Sequence, residues 1–279
     1  MASTSNPQPL PADCSRSYAD LPAELISSIL MRLGAVEVLA SARKVCKTWR
    51  QICSDPEMWR VIKIEHSDYE KSPQLLKHVV VKAVDLSCGQ LVHLDLRMLR
   101  MPHNLLCYVF DRSSGLRRLH LSSYSQITNR RMNGFLKRLP FLEELHLECP
   151  CNFKKAIEIA GRCCPQLKSL KLINKIYLYP KKGYDEEALA VAENIPGLCR
   201  LQIYGPNKMT SDGLLAISEN CRQLESLDVC LDVATVGPDL MRRLSEQIKY
   251  LRLSYDSSEE SDPDLDLFSF LGPLIEDDL

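Results

Sequence analysis

An apolar residue, two variable residues, a second apolar residue, one variable residue and a third apolar residue recur seven times along this 279-residue chain. The copies are Leu91/Leu94/Leu96, Leu116/Leu119/Leu121, Leu142/Leu145/Leu147, Leu167/Leu170/Leu172, Leu198/Leu201/Ile203, Leu224/Leu227/Val229 and Ile248/Leu251/Leu253. Their first positions advance by 25, 26, 25, 31, 26 and 24 residues, a regularity that chance does not produce and that a repeat architecture requires. Trp59/Ile62/Ile64 reads as an eighth copy, ahead of the others and joined to them by a longer connection.

The end of each copy alternates with period two, as a short strand buried on one face must. Helical patterns follow the strands. Ser72-Pro73 offers a cap and an N1 proline for a helix carrying Leu75, Leu76, Val79, Val80 and Ala83 and ending at Gly89. Asp185-Glu186-Glu187 opens another, its acids at the positive end of the helix dipole, and Thr210-Ser211-Asp212 starts a third. Strand then helix at about 25 residues per unit is the leucine-rich-repeat solenoid. The 31-residue step is explained by an exposed loop at 176–184.

Composition excludes several alternatives. Lys+Arg and Asp+Glu total 35 and 36, which argues against nucleic acid or an anionic membrane as the main partner. The last stretch, 256–279, holds nine acids and no base, leaving a mildly basic body of 35 basic and 27 acidic residues. No signal-type or membrane-spanning apolar run is present, so a soluble protein of the cytoplasm or nucleus is expected. The twelve cysteines are scattered and read as reduced thiols. Cys149 with Cys151 and Cys163 with Cys164 lack the C-x-x-C spacing of a zinc site, so no metal or cofactor is expected.

Residues 20–60 follow another pattern. Leu21-Pro22 opens a short helix ending near Gly34, whose apolar positions Leu21, Leu25, Ile26, Ile29, Leu30 and Leu33 cover more than one narrow stripe. Two further helical stretches, around Val36–Val45 and Cys46–Cys53, precede a break at Asp55-Pro56. Three helices in about 40 residues bury too little surface to stand alone and call for a partner, in helix-in-groove fashion. Pro22 presents Leu21 at the helix start, and Leu25, Ile29 and Leu33 continue one face at four-residue spacing. Trp59, which begins a strand-like copy, reads as a core anchor.

Leu21-Pro22-x-Glu24-Leu25, Ile29-Leu30-x-x-Leu33, Val45-Cys46-Lys47-x-Trp49 and Asp55-Pro56-x-x-Trp59-Arg60 resemble the F-box motif in order, spacing and residue type. Cys164-Pro165-Gln166-Leu167 and Cys221-Arg222-Gln223-Leu224 resemble the cysteine-containing leucine-rich repeats of F-box proteins. The chain departs from that pattern where Tyr124, Pro150, Lys175 and Pro206 replace the Asn/Cys expected after a strand, which points to an irregular solenoid. The whole resembles a plant-type F-box/leucine-rich-repeat protein, similar to Skp-interacting partners. The resemblance implies an α/β fold, a short three-helix F-box followed by a right-handed solenoid of seven to eight repeats. It also implies that Leu21, Pro22, Leu25, Ile29, Leu30, Leu33, Val45, Cys46 and Trp49 form or support an interface for a Skp-type adaptor, and through it a cullin.

The variable strand residues face the concave side: His93/Asp95/Arg97, Arg118/His120/Ser122, Glu144/His146/Glu148, Ser169/Lys171/Ile173, Arg200/Gln202/Tyr204, Ser226/Asp228/Cys230 and Tyr250/Arg252/Ser254. This mixed-sign surface, with Tyr204 and Tyr250 as anchors, suits a protein segment. His120, His146, Lys171, Arg200, Tyr204, Asp228, Tyr250 and Arg252 are the candidate substrate-binding residues. A metal or acid–base role for His120 and His146 beside Glu144 and Glu148 weighs less than a solvated ladder of the same residues. No nucleophile elbow, phosphate-binding loop or H-E-x-x-H segment occurs, so no catalytic residue is assigned and the chain is not expected to be an enzyme.

The boundaries drawn are a disordered N-terminus (1–17), an F-box-like domain (18–60), the solenoid (61–255) and an acidic-hydrophobic tail (256–279) that caps the last repeat or docks elsewhere. The function expected is the substrate-recognition subunit of an SCF-type ubiquitin ligase. The alternative is a leucine-rich-repeat binding or inhibitory module outside the ubiquitin pathway.

Overall fold

The computed structural model describes residues 21–65, 73–97, 103–122, 127–148, 152–174 and 183–254. The N-terminal segment, the loop expected at 176–184 as far as residue 182 and the tail from 256 lie outside the described residues; Tyr184, at the end of that loop, is buried and not exposed as expected. Three short helices come first, α1 (Ala23–Leu30), α2 (Ala35–Ala40) and α3 (Lys47–Ile52), with 3₁₀ turns at Ala42–Lys44 and Pro56–Trp59. The single stretch expected from Val36 to Val45 is divided, because Ser41 leaves helical geometry at φ −121°, ψ −61°. The first helix ends earlier than Gly34: Arg32 and Leu33 donate to Ile29 and Leu30, the tighter i→i+3 pattern that closes a helix end.

Eight strands follow: β1 (Val61–Ile64), β2 (His93–Arg97), β3 (Arg118–Ser122), β4 (Glu144–Glu148), β5 (Ser169–Ile173), β6 (Arg200–Tyr204), β7 (Ser226–Cys230) and β8 (Tyr250–Ser254). All pair in parallel, each with its neighbour in the chain. Between them run α4 (Pro73–Leu86), α5 (His103–Asp111), α6 (Asn129–Leu136), α7 (Phe153–Cys163), α8 (Asp185–Asn194), α9 (Ser211–Asn220) and α10 (Pro238–Gln247). The register places equivalent residues side by side, so Ile62, Leu94, Leu119, Leu145, Leu170, Leu201, Leu227 and Leu251 form one continuous row. That row and its partner two residues on are buried until β8, where Leu251 and Leu253 are half-buried at the end of the sheet.

The turn from helix into strand is repeated in five of the units. The carbonyls of Ser113, Leu139, Cys164, Ile195 and Cys221 accept from the amides of Leu116, Leu142, Leu167, Leu198 and Leu224 at 3.0–3.2 Å. All five residues making that turn are buried. Cys164 and Cys221 are therefore small apolar side chains filling a turn, and burial pushes their thiols up to about 12 and about 11. No disulfide joins the cysteines among the described residues. Helix starts are capped as their sequences require, by Thr128 in α6, Asn152 in α7 and Thr210 in α9.

The N-terminal helices are joined to the solenoid without a gap. Helix α2 packs on β1 and α4, covering the first edge of the sheet. Trp59 is 2% exposed and anchors the junction, as its position suggested. Among the described residues no helix is long and apolar enough to cross a membrane.

Candidate functional site

Two surfaces hold the candidate residues. On the N-terminal helices, Ile26 and Leu30 point inward with Val38, Ala42 and Cys53 as a small core. A neighbouring face of α1 and the turn after it stay in solvent, with Leu25 53%, Ile29 45% and Leu33 37% exposed. Met31 and Val45 are also exposed, each 60%. Pro22 is exposed at the N-cap, its carbonyl accepting from Leu25 and Ile26, and Leu21 is half-buried beside it. Cys46 and Trp49 are half-buried behind; the Cys46 thiol caps α3 by accepting the Trp49 amide at 3.5 Å.

Of the nine residues expected on this face, Leu21, Pro22, Leu25, Ile29, Leu33 and Val45 reach solvent, Cys46 and Trp49 underlie them, and Leu30 is core. Met31 was not foreseen, because it lies off the four-residue progression from Leu25. Its only signal was a large apolar side chain close to the helix end.

On the concave side, the central row runs Asp95, His120, His146, Lys171, Gln202, Asp228, Arg252 across β2 to β8. The Nδ1 of His120 lies 3.1 Å from Asp95 Oδ1, and Arg97 Nε lies 3.4 Å from the same oxygen. Burial alone pushes the Asp95 carboxyl up, but the hydrogen bonds and charges of His120 and Arg97 outweigh it and hold it below the usual carboxylate range. The His120 and His146 rings stack, centroids 3.6 Å apart and 12° from parallel. Beside them, burial and the Arg118 guanidinium push the His93 imidazole below its ordinary value.

A second cluster lies further along the row. The Tyr204 hydroxyl donates to Asp228 Oδ2, Gln202 Nε2 lies 3.5 Å from that oxygen, and Arg252 Nη1 lies 3.9 Å away. Tyr204 is 6% exposed, with Lys171 Nζ 5.4 Å from its ring centre. It is held within the protein by the acid on the next strand, unlike an exposed anchor. Asp228 is buried too, while Arg200, Tyr250 and Arg252 are exposed toward the last strands. The eight candidates thus fall into a half-buried centre (His120, His146, Lys171), a buried pair (Tyr204, Asp228) and an exposed end.

Comparison with known proteins places this arrangement. The F-box-like domain family matches residues 18–65. The chain is 41% identical to F-box protein SKIP19 of Arabidopsis thaliana over 96% of its own length and 91% of that protein's. It is 39% identical to putative F-box/LRR-repeat protein 9 of the same plant, over 80% of this chain and 91% of that one. Putative F-box/LRR-repeat protein 23 is also 39% identical, matching 88% of this chain, which spans 55% of that longer relative. An eight-stranded parallel repeat sheet behind an F-box, with sequence similarity over nearly the whole length of such relatives, means that the chain belongs to the F-box family in its leucine-rich-repeat form, whose members are generally non-catalytic SCF substrate adaptors.

Proposed function

We propose that this chain is the substrate-recognition subunit of an SCF-type ubiquitin ligase, binding a Skp-type adaptor through Leu21, Pro22, Leu25, Ile29, Met31, Leu33 and Val45. The observation that carries the reading is the apolar face of α1. Leu25 and Ile29 stay exposed although Ile26 and Leu30 on the same helix are fully buried. An apolar patch assembled from neighbouring turns marks a surface that a partner covers. A stable contact needs about 1,200–2,000 Å² of total buried area, which these short helices can supply when most of the patch is engaged.

On this reading the adaptor links the chain to a cullin, in the cytoplasm or nucleus, and the concave face holds a protein target. The chain supplies proximity: lysines of the bound target are kept near a charged ubiquitin carrier at high effective concentration. The bonds are made and broken by other subunits.

Capture of a purified Skp-type adaptor tests the reading. Wild-type chain should retain it, and Leu25→Asp with Ile29→Asp should not, with circular dichroism unchanged. Undiminished capture by that double variant would remove the interface. Failure of the wild-type chain to capture any Skp-type adaptor would favour a binding module outside the ubiquitin pathway.

A further inference from the structure

We infer that His120, His146 and Glu148 form a divalent transition-metal site of the zinc type on the concave face, with Asp95 positioning His120 from behind. The inference is independent of the adaptor reading, since its residues are on β2, β3 and β4 and far in sequence from the N-terminal helices.

The three side chains converge through the strand register. His120 and His146 are direct partners on β3 and β4, and Glu148 stands two residues beyond His146, on the same face. One ligand atom from each lies within 4.8 Å of the other two. Ligands at about 2.0–2.2 Å around a tetrahedral zinc sit roughly 3.4 Å from one another. The group must therefore draw in by up to about 1.4 Å, within reach of side-chain rotations.

The orientation of His120 favours a cation. Its ring stacks on that of His146 with centroids 3.6 Å apart and 12° from parallel, which fixes its orientation. With Nδ1 turned to Asp95, the tautomer that donates from Nδ1 presents its lone pair on Nε2. That Nε2 is buried and has no hydrogen-bond partner among the described residues. A solvated ladder, which the sequence alone favoured, would leave this nitrogen to water; its burial argues for a bound electrophile instead.

Asp95 supplies the outer support that zinc-binding histidines normally have. A carboxylate accepting from the far nitrogen fixes ring orientation and tautomer and makes the near nitrogen a better donor. Two imidazoles and one carboxylate suit zinc and leave a fourth position for water or a side chain of a bound protein. The cysteines among the described residues are not part of the group.

The test uses the full chain, stripped with a chelator, kept reduced and dialysed against Zn(II). One zinc per chain should be retained, with a higher Tm than the stripped form. His120→Gln, His146→Gln and Glu148→Gln should each weaken binding at least 10-fold, and Asp95→Asn about 10–100-fold, the loss usual for an outer partner. His93→Gln, on the same face but outside the group, should leave zinc binding unchanged. Where a histidine variant does not fold, Glu148→Gln and Asp95→Asn carry the test alone. Co(II) in place of zinc should show nitrogen and oxygen ligation. No zinc uptake by the wild-type chain, zinc affinity unchanged in folded variants, or a thiolate-to-cobalt absorption would each overturn the site. Adaptor capture should be the same with and without zinc, so failure here leaves the interface reading intact.

Discussion

The indole nitrogen of Trp59 donates to the backbone carbonyl of Cys53 at 2.9 Å, buried at the seam where the N-terminal helices meet the first strand. The bond ties the end of α3 to the 3₁₀ turn that leads into β1. Trp59→Phe keeps most of the packing but leaves that carbonyl unsatisfied, which should cost about 1–3 kcal/mol in urea unfolding. Trp59→Ala adds a cavity and should cost roughly 3–5 kcal/mol. Equal stability of Trp59→Phe and wild type would mean the seam does not depend on the bond.

The two sides of α1 should separate stability from binding. Ile26 is fully buried and Leu25 is 53% exposed. Ile26→Ala should cost about 2–5 kcal/mol by cavity formation. Leu25→Asp should change stability by about 0.5 kcal/mol or less, while removing adaptor capture. Denaturant midpoints and pull-downs on the two variants, measured together, check both halves.

Two helical glycines should respond to alanine in opposite senses. A Cβ on Gly161 in α7 would stand 2.5 Å from the Asn194 carbonyl oxygen, so the close approach of α7 and α8 requires glycine there. Gly161→Ala should cost about 1–3 kcal/mol through overpacking. At Gly134 in α6 the nearest atom to a new Cβ is Arg138 Nη1 at 3.7 Å. Gly134→Ala should therefore raise stability by about 0.5–1 kcal/mol through helix propensity. Thermal melts of both variants decide it.

The buried thiols of Cys164 and Cys221 set an alkaline limit. Their folded values, about 12 and about 11, lie above the unfolded value of 9.0. The folded state thus holds the protons more tightly, and stability present below pH 9 is lost as pH rises through the folded values. Each thiol contributes a fall of up to about 1.4 kcal/mol per pH unit in that window. Urea midpoints at pH 8 and pH 10 should differ in this direction, and Cys164→Ala with Cys221→Ala should flatten the difference.

The repeat made much of the solenoid legible. Strands β2 to β8 fall where the spaced leucines put them, and the variable residues between them form the concave rows with the expected register, because identical units stacked side by side leave little freedom. The early copy at Trp59/Ile62/Ile64 proved to be β1, paired directly with β2. Less was legible in the N-terminal helices, where apolar residues surround α1 and the pattern does not say which side packs. Leu30 turned inward, and Met31 stays exposed.

Sequence alone determined the period, the strand positions and the presence of an F-box, since each is a matter of spacing along the chain and of local residue type. Tertiary structure decided what the side chains on those positions do. Tyr204 was expected to stand out as an anchor and instead donates to Asp228 on the next strand; Asp95, 25 residues before His120, became its orienting partner. Such pairings depend on distances across neighbouring strands and on how much solvent remains between them, and these quantities exist only once the repeats are stacked.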